Sequence, residues 1–158
     1  MAVPSVATYS AAALIAAHTS FRDLIDSGSG AGSIKIRDSA DVLLAEIPLT
    51  DPCGTVNGTT GQLTITPSGR EESADASGTA AYGEFCNSDG TVYLSLPAQV
   101  GTVAVAGKLV MSTLAVAAGG PVGLGRRGLT RSVSPRFGGV RGMAQSALSA
   151  VHHRGARW

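Results

Sequence analysis

The sequence breaks at one point, and the break limits what can fold. Residues 1–122 hold all eleven acidic residues and five basic ones, Arg22, Lys35, Arg37, Arg70 and Lys108, for a net charge of −6. Residues 123–158 hold seven arginines with no lysine and no acid, for a net charge of +7. The formal total of +1 hides this division. A stretch with one sign of charge and few large apolar side chains opposes its own packing through self-repulsion and chain entropy. The folded part is therefore expected within the first 122 residues. The reading divides the chain into an N-terminal helix over 1–28, a β domain over 33–122, and an Arg/Gly-rich tail over 123–158 that is expected to be largely disordered.

Composition narrows the folded part further. A chain of 158 residues suits one domain with a tail. Charged residues are 15%, against about 25% in an ordinary soluble domain. Glycine is 21 of 158, roughly twice the usual ~7%. Mean hydropathy is +0.20 with only three Phe, three Tyr and one Trp, so the apolar content is mostly Ala and Val. This excludes a coiled coil and argues against a deep aromatic cofactor pocket; no cofactor is expected. Two cysteines, Cys53 and Cys86, are too few for a disulfide-built scaffold and fit no zinc spacing. They form a disulfide only if the fold brings them close. The first basic residue is Arg22, so no charged region precedes the apolar run 11–17, and no export signal is expected. That run is shorter than the ~20 residues of a membrane span, and no membrane partner is expected.

Along the chain, the period changes once. Over 6–26, Ala7, Ala11, Leu14, Ile15, His18, Phe21 and Ile25 make one apolar helical stripe. Ser5 is the expected N-cap, Ser27-Gly28 the stop, and Arg22 and Asp26 an i,i+4 pair. After the Gly/Ser linker 27–33 the period becomes two. Strands are expected at 34–37, 42–47 (ended by Pro48 and Pro52), 62–66, 80–86, 91–96, 103–106, 109–114 and 116–122. Turns are expected at 38–41, at Asn57-Gly58 and at 87–90. Short strands between Gly and Asn/Asp turns predict an antiparallel β sandwich or small barrel, mainly β after the N-terminal helix. Within the tail, only 140–151 has spacing for a short helix.

The titratable residues make no catalytic pattern. His18 lies on the helix stripe and reads as a packed histidine; His152 and His153 lack a third ligand. No Gly-x-Ser-x-Gly elbow occurs. The glycines of 28–32 sit between helix and strand, the reverse of the strand–loop–helix order that holds a pyrophosphate. Asn87-Ser88-Asp89-Gly90 with Glu84 offers oxygens to a calcium ion, but it lacks the closing Glu of an EF-hand and reads as a hairpin turn. Asn57-Gly58-Thr59 matches a glycosylation acceptor and reads as a turn. No catalytic, cofactor or metal residue is expected. Partner chemistry is confined to the tail, where Arg126, Arg127, Arg131, Arg136, Arg141, Arg154 and Arg157 can fork onto phosphates of nucleic acid or onto an acidic surface. The same Arg-, Gly- and Ala-rich composition is also what an out-of-frame reading of GC-rich DNA produces.

The run Ser73-Ala74-Asp75-Ala76-Ser77-Gly78-Thr79-Ala80, then a strand, then Ser88-Asp89-Gly90-Thr91, resembles small virion structural proteins of tailed bacteriophages. In that group an Ala-rich helix precedes a Gly/Ser/Thr-rich β domain, as over residues 5–122 here. The resemblance implies a non-enzymatic particle protein, a capsid decoration or tail-associated subunit. Such a subunit is made in the host cytoplasm, resides in the virion and acts through self-association and contacts with other virion proteins. The group usually adds one more strand after a Gly-Gly-Pro-Val step. Here Gly119-Gly120-Pro121-Val122 is followed by Gly-Leu-Gly-Arg-Arg. Two other expectations stand beside it. One is a nucleic-acid-binding protein with a C-terminal basic arm. The other is a carbohydrate- or cell-surface-binding β module, which the scarcity of Trp and Tyr disfavours.

Overall fold

The computed structural model describes residues 9–103, 105, 107–124 and 129–131. The protein is mainly β with one N-terminal helix, as its patterning predicts. Helix α1 (Ala11–Ile25) is followed by strands β1 (Ser33–Arg37), β2 (Leu43–Val56), β3 (Leu63–Pro67), β4 (Gly78–Thr79), β5 (Tyr82–Cys86), β6 (Val92–Val100), β7 (Leu109–Met111), β8 (Ala115–Val116) and β9 (Leu129–Arg131). Seven strands make one curled sheet, a half-barrel, in the order β7-β6-β5-β1-β2-β3-β9, and β4 pairs with β8 beside it. The pairs are antiparallel except β6 with β7, which run parallel. The expected helix 140–151 and the histidines His152 and His153 lie outside the described residues.

The helix starts later than its apolar stripe suggests. Ser10, not Ser5, is the N-cap: its backbone is extended and its hydroxyl accepts from the Ala13 amide at 3.2 Å. A hydroxyl directly before Ala11-Ala12-Ala13 satisfies an amide that the first turn leaves unpaired. Ser5 lies outside the described residues. The expected Arg22–Asp26 pair is also absent. Arg22 bonds Asp23 at 2.6 Å, and the Asp26 carboxylate instead accepts the Cys53 amide at 2.7 Å, fastening the helix end to β2. Ile25 is fully buried, whereas Leu14, Ile15 and Phe21 are half-buried. The Phe21 ring meets Phe85 edge-on, with centroids 6.5 Å apart.

Strand β1 is the axis of the core. Ile34 and Ile36 are fully buried, while Lys35 and Arg37 on the other face are half-buried. Burying a side chain of that size contributes about 1.5–3 kcal/mol. Leu44, Ile47, Leu49, Leu63, Phe85 and Leu109 close around them. Strand β2 runs through Pro48 and Pro52, where the sequence predicts a stop. Its register shifts between Leu49 and Gly54, so Pro52 sits in an irregularity that asks no amide of it, and Pro48 is solvent-exposed. The first half of β2 pairs with β1 and the second with β3, which bends the sheet.

The turns follow side-chain chemistry. At 38–41, the Asp38 carboxylate accepts the Ala40 and Val42 amides, and Asp41 takes a φ of 63°. At 87–90, the Asn87 side-chain oxygen accepts the Asp89 and Thr91 amides and Gly90 takes a φ of 82°. The Asn57-Gly58 turn is longer than a two-residue hairpin. Asn57 accepts the Thr59 and Thr60 amides, and the positive φ of 71° falls on Gly61. Strands end differently from expectation at the C-terminal side. Strand β6 runs through Pro97, the described residues of 103–106 are not strand, and 116–122 contributes only β8 and a bridge between Val122 and Glu71.

Candidate functional site

Six of the seven expected contact arginines, Arg126, Arg127, Arg136, Arg141, Arg154 and Arg157, lie outside the described residues. Arg131 is the last residue of β9, opposite Leu63 of β3. The described part of the arginine-rich stretch thus includes a strand of the sheet: Leu129–Arg131 pairs with β3 where a tail is expected. The signal for this strand is weak in sequence, a three-residue Leu-Thr-Arg alternation.

A polar concavity lies elsewhere, where the 28–32 linker crosses the 87–90 hairpin tip. It encloses about 560 Å³ and is lined by Ser33, Lys35, Glu46, Glu71, Asn87 and Asp89. The glycines of the linker serve this crossing. A Cβ on Gly32 would fall 2.5 Å from the Cys86 carbonyl oxygen and 2.6 Å from Ile25 Cγ2. Gly28 takes a φ of 110°, which a side chain rarely allows. Two hydrogen bonds tie linker to hairpin: the Gly30 amide donates to Ser88 Oγ at 3.2 Å, and Asn87 Nδ2 donates to Ser27 Oγ at 3.1 Å.

Two polar side chains of this cleft bond each other, and a second polar cluster lies outside its lining. Ser33 Oγ donates to Glu46 Oε1 at 2.6 Å, so its neighbour is a carboxylate rather than an imidazole. Glu84, a candidate calcium ligand in sequence, instead holds Arg37 at 2.7 Å, both side chains being largely shielded from solvent. Tyr82 Oη donates to Asp41 Oδ1 at 2.6 Å, and that bond pushes the phenol up to about 12. Of the Arg37–Glu84–Asp41–Tyr82 cluster, the sequence announces only Arg37, through the alternation of apolar and basic residues along β1. The cluster stitches β1, the 38–41 turn and β5 together. Among the described residues no group of three His, Cys, Asp or Glu side chains is placed to hold a metal ion.

The remaining reactive groups are buried apart from the cleft. The His18 Nδ1–H donates to the Gly61 carbonyl, and Nε2 is buried without a partner among the described residues. Cys53 and Cys86 are both free and buried. Burial, then the Asp26 carboxylate, pushes the Cys53 thiol up to about 12, and burial raises that of Cys86. Neutral thiols of this kind are poor nucleophiles. Among the described residues no helix is long and apolar enough to cross a membrane. Comparison with known proteins gives no match to a family model, a curated protein or a solved structure.

Proposed function

We propose that the chain is a non-enzymatic structural protein of a tailed-bacteriophage particle, a capsid decoration or tail-associated subunit that acts by packing against other subunits. The observation that carries this reading is the use made of the 73–80 run, whose residues bear the resemblance to such proteins. They form a strap across the open side of the sheet. The Ala74 amide donates to the Gly120 carbonyl and the Asp75 amide to the Leu44 carbonyl, each at 2.9 Å. The Ala118 amide donates to Ser77 Oγ at 2.8 Å, and Gly78 lies so close to Leu44 that a Cβ would sit 2.8 Å from its side chain. Ala74 and Ala80 are buried and Gly78 packs on Leu44, so the small residues at these positions serve close packing. The test is the protein content of purified particles from cells in which the gene is active. The chain is expected there in a fixed ratio to the major capsid or tail protein; its absence overturns the reading.

A second reading rests on one sequence observation, the seven arginines without an acid over 123–158. A basic arm on nucleic acid predicts DNA affinity that falls steeply with salt and disappears on deletion of 132–158.

A further inference from the structure

We infer that two copies of this chain associate edge to edge through β6, in antiparallel register centred on Ser95; the inference rests on the reading of the protein as an assembly subunit. Strand β6 is paired along its inner side with β5, from Tyr82 opposite Pro97 to Cys86 opposite Val92. On its outer side β7 covers only Ala98, Gln99 and Val100. Among the described residues no strand pairs with the outer edge of 92–97. Backbone donors and acceptors along such an edge are a template for another strand.

The direction of those groups follows from one bond. The Ala98 amide donates inward to the Ala81 carbonyl at 2.8 Å. With a period of two, Leu96 and Leu94 also turn their amides and carbonyls toward β5, and Ser95 turns its own outward. Pro97, the next outward position, has no N–H. Beyond Leu94 the register shifts at Tyr93, which breaks the period, so Ser95 is the residue of the regular part of this stretch that offers both a donor and an acceptor at the open edge. Two antiparallel copies meeting there exchange two hydrogen bonds between the same residue on each chain, the self-complementary arrangement of a two-fold dimer.

Charge selects a second copy as the occupant. No charged residue occurs between Asp89 and Lys108, whereas residues 1–122 as a whole carry −6. Two copies approaching by this stretch bring no like charges face to face, and the stretch lacks the charged side chains that blunt natural sheet edges. It also holds Val92, Val100, Val103 and Val105, four of the seven large apolar residues exposed among those described. An uncharged edge offers nothing to the arginine-rich segment, whose described part pairs at the opposite end of the sheet.

The test is sedimentation equilibrium on the full chain. The series includes wild type, Ser95→Lys, Ser95→Glu, an equimolar mixture of the two variants, and Ser39→Lys in the 38–41 turn as a control; circular dichroism checks each fold. Wild type and the control are expected to dimerise. Each charged variant alone is expected to be monomeric, because the two-fold sets like charges face to face, and the mixture is expected to recover the dimer. Ser95→Cys, a smaller change, is expected to yield a disulfide-linked dimer on mild oxidation. A monomeric wild type, a dimeric Ser95→Lys, or a mixture that stays monomeric overturns the inference. A chain present in particles without this dimer removes the interface and keeps the structural reading; a Ser95-dependent dimer absent from particles does the reverse.

Discussion

The middle of the sheet and its β6–β7 flank are built from different materials. In the middle, β1 lies between β2 and β5, alternating buried isoleucines with Lys35 and Arg37, and its polar face is tied by the Arg37–Glu84 pair and the Ser33–Glu46 bond. On the flank, β6 is uncharged, carries exposed valines, and is covered along only part of its outer edge. The middle spends its residues on internal contacts, and the flank keeps surface to offer. A single sheet thereby separates what holds the fold from what meets a neighbour.

The sharpest way to break this comparison is truncation at matched sites. Ile36→Ala is expected to cost about 2–5 kcal/mol, since the site is fully buried and closed on both sides. Val100→Ala, at a residue 56% exposed, is expected to change stability by less than about 0.5 kcal/mol. Urea unfolding curves measure both, and equal losses would erase the distinction. Gly32→Ala is expected to cost about 1–3 kcal/mol, because its Cβ meets the Cys86 carbonyl and Ile25 with no room to shift. Gly69→Ala, facing open space, is the neutral partner in the same assay.

A similar effect of about 1–3 kcal/mol is expected for Asn87→Ala, which leaves the Asp89 and Thr91 amides without their acceptor at the hairpin joining middle to flank. Thermal unfolding measures it, and an unchanged midpoint would deny the turn a role. The smallest effect concerns pH. Burial raises the Cys53 thiol to about 12 in the folded chain, above the value of about 8.5 for an unfolded thiol. Its contribution to stability is therefore complete below about 8.5 and declines as pH rises from there toward 12. Both cysteines are expected to resist a thiol reagent at pH 8 until the chain is unfolded; rapid native labelling would show that the middle of the sheet opens.

Much of the middle was legible in the sequence and much of the flank was not. The alternation Ile34-Lys35-Ile36-Arg37 and the Asp38 and Asn87 turns carry local signals strong enough to place β1 and both hairpins. Pro48 and Pro52 read as strand ends in sequence, whereas a bulge and an exposed position of β2 accommodate them. Helical spacing pairs Asp26 with Arg22, whereas its partner is a backbone amide on β2, which no helical spacing announces. The parallel β6–β7 pair also escaped, since parallel pairing depends on a crossover rather than on a turn signal. Of the candidate contacts, Arg131 alone falls within the described residues, and its place in β9 depends on a partner strand some sixty-eight positions earlier in the chain.

Native-state hydrogen exchange tests the division of the sheet most directly. Amides of Ile34, Ile36 and Phe85, whose strands are paired on both sides, are expected to exchange only through global unfolding. Amides of β7, a three-residue strand at the edge of the sheet, are expected to exchange through much cheaper local opening. Protection that is uniform across β1, β5 and β7, or greatest in β7, would contradict a fold held by its middle.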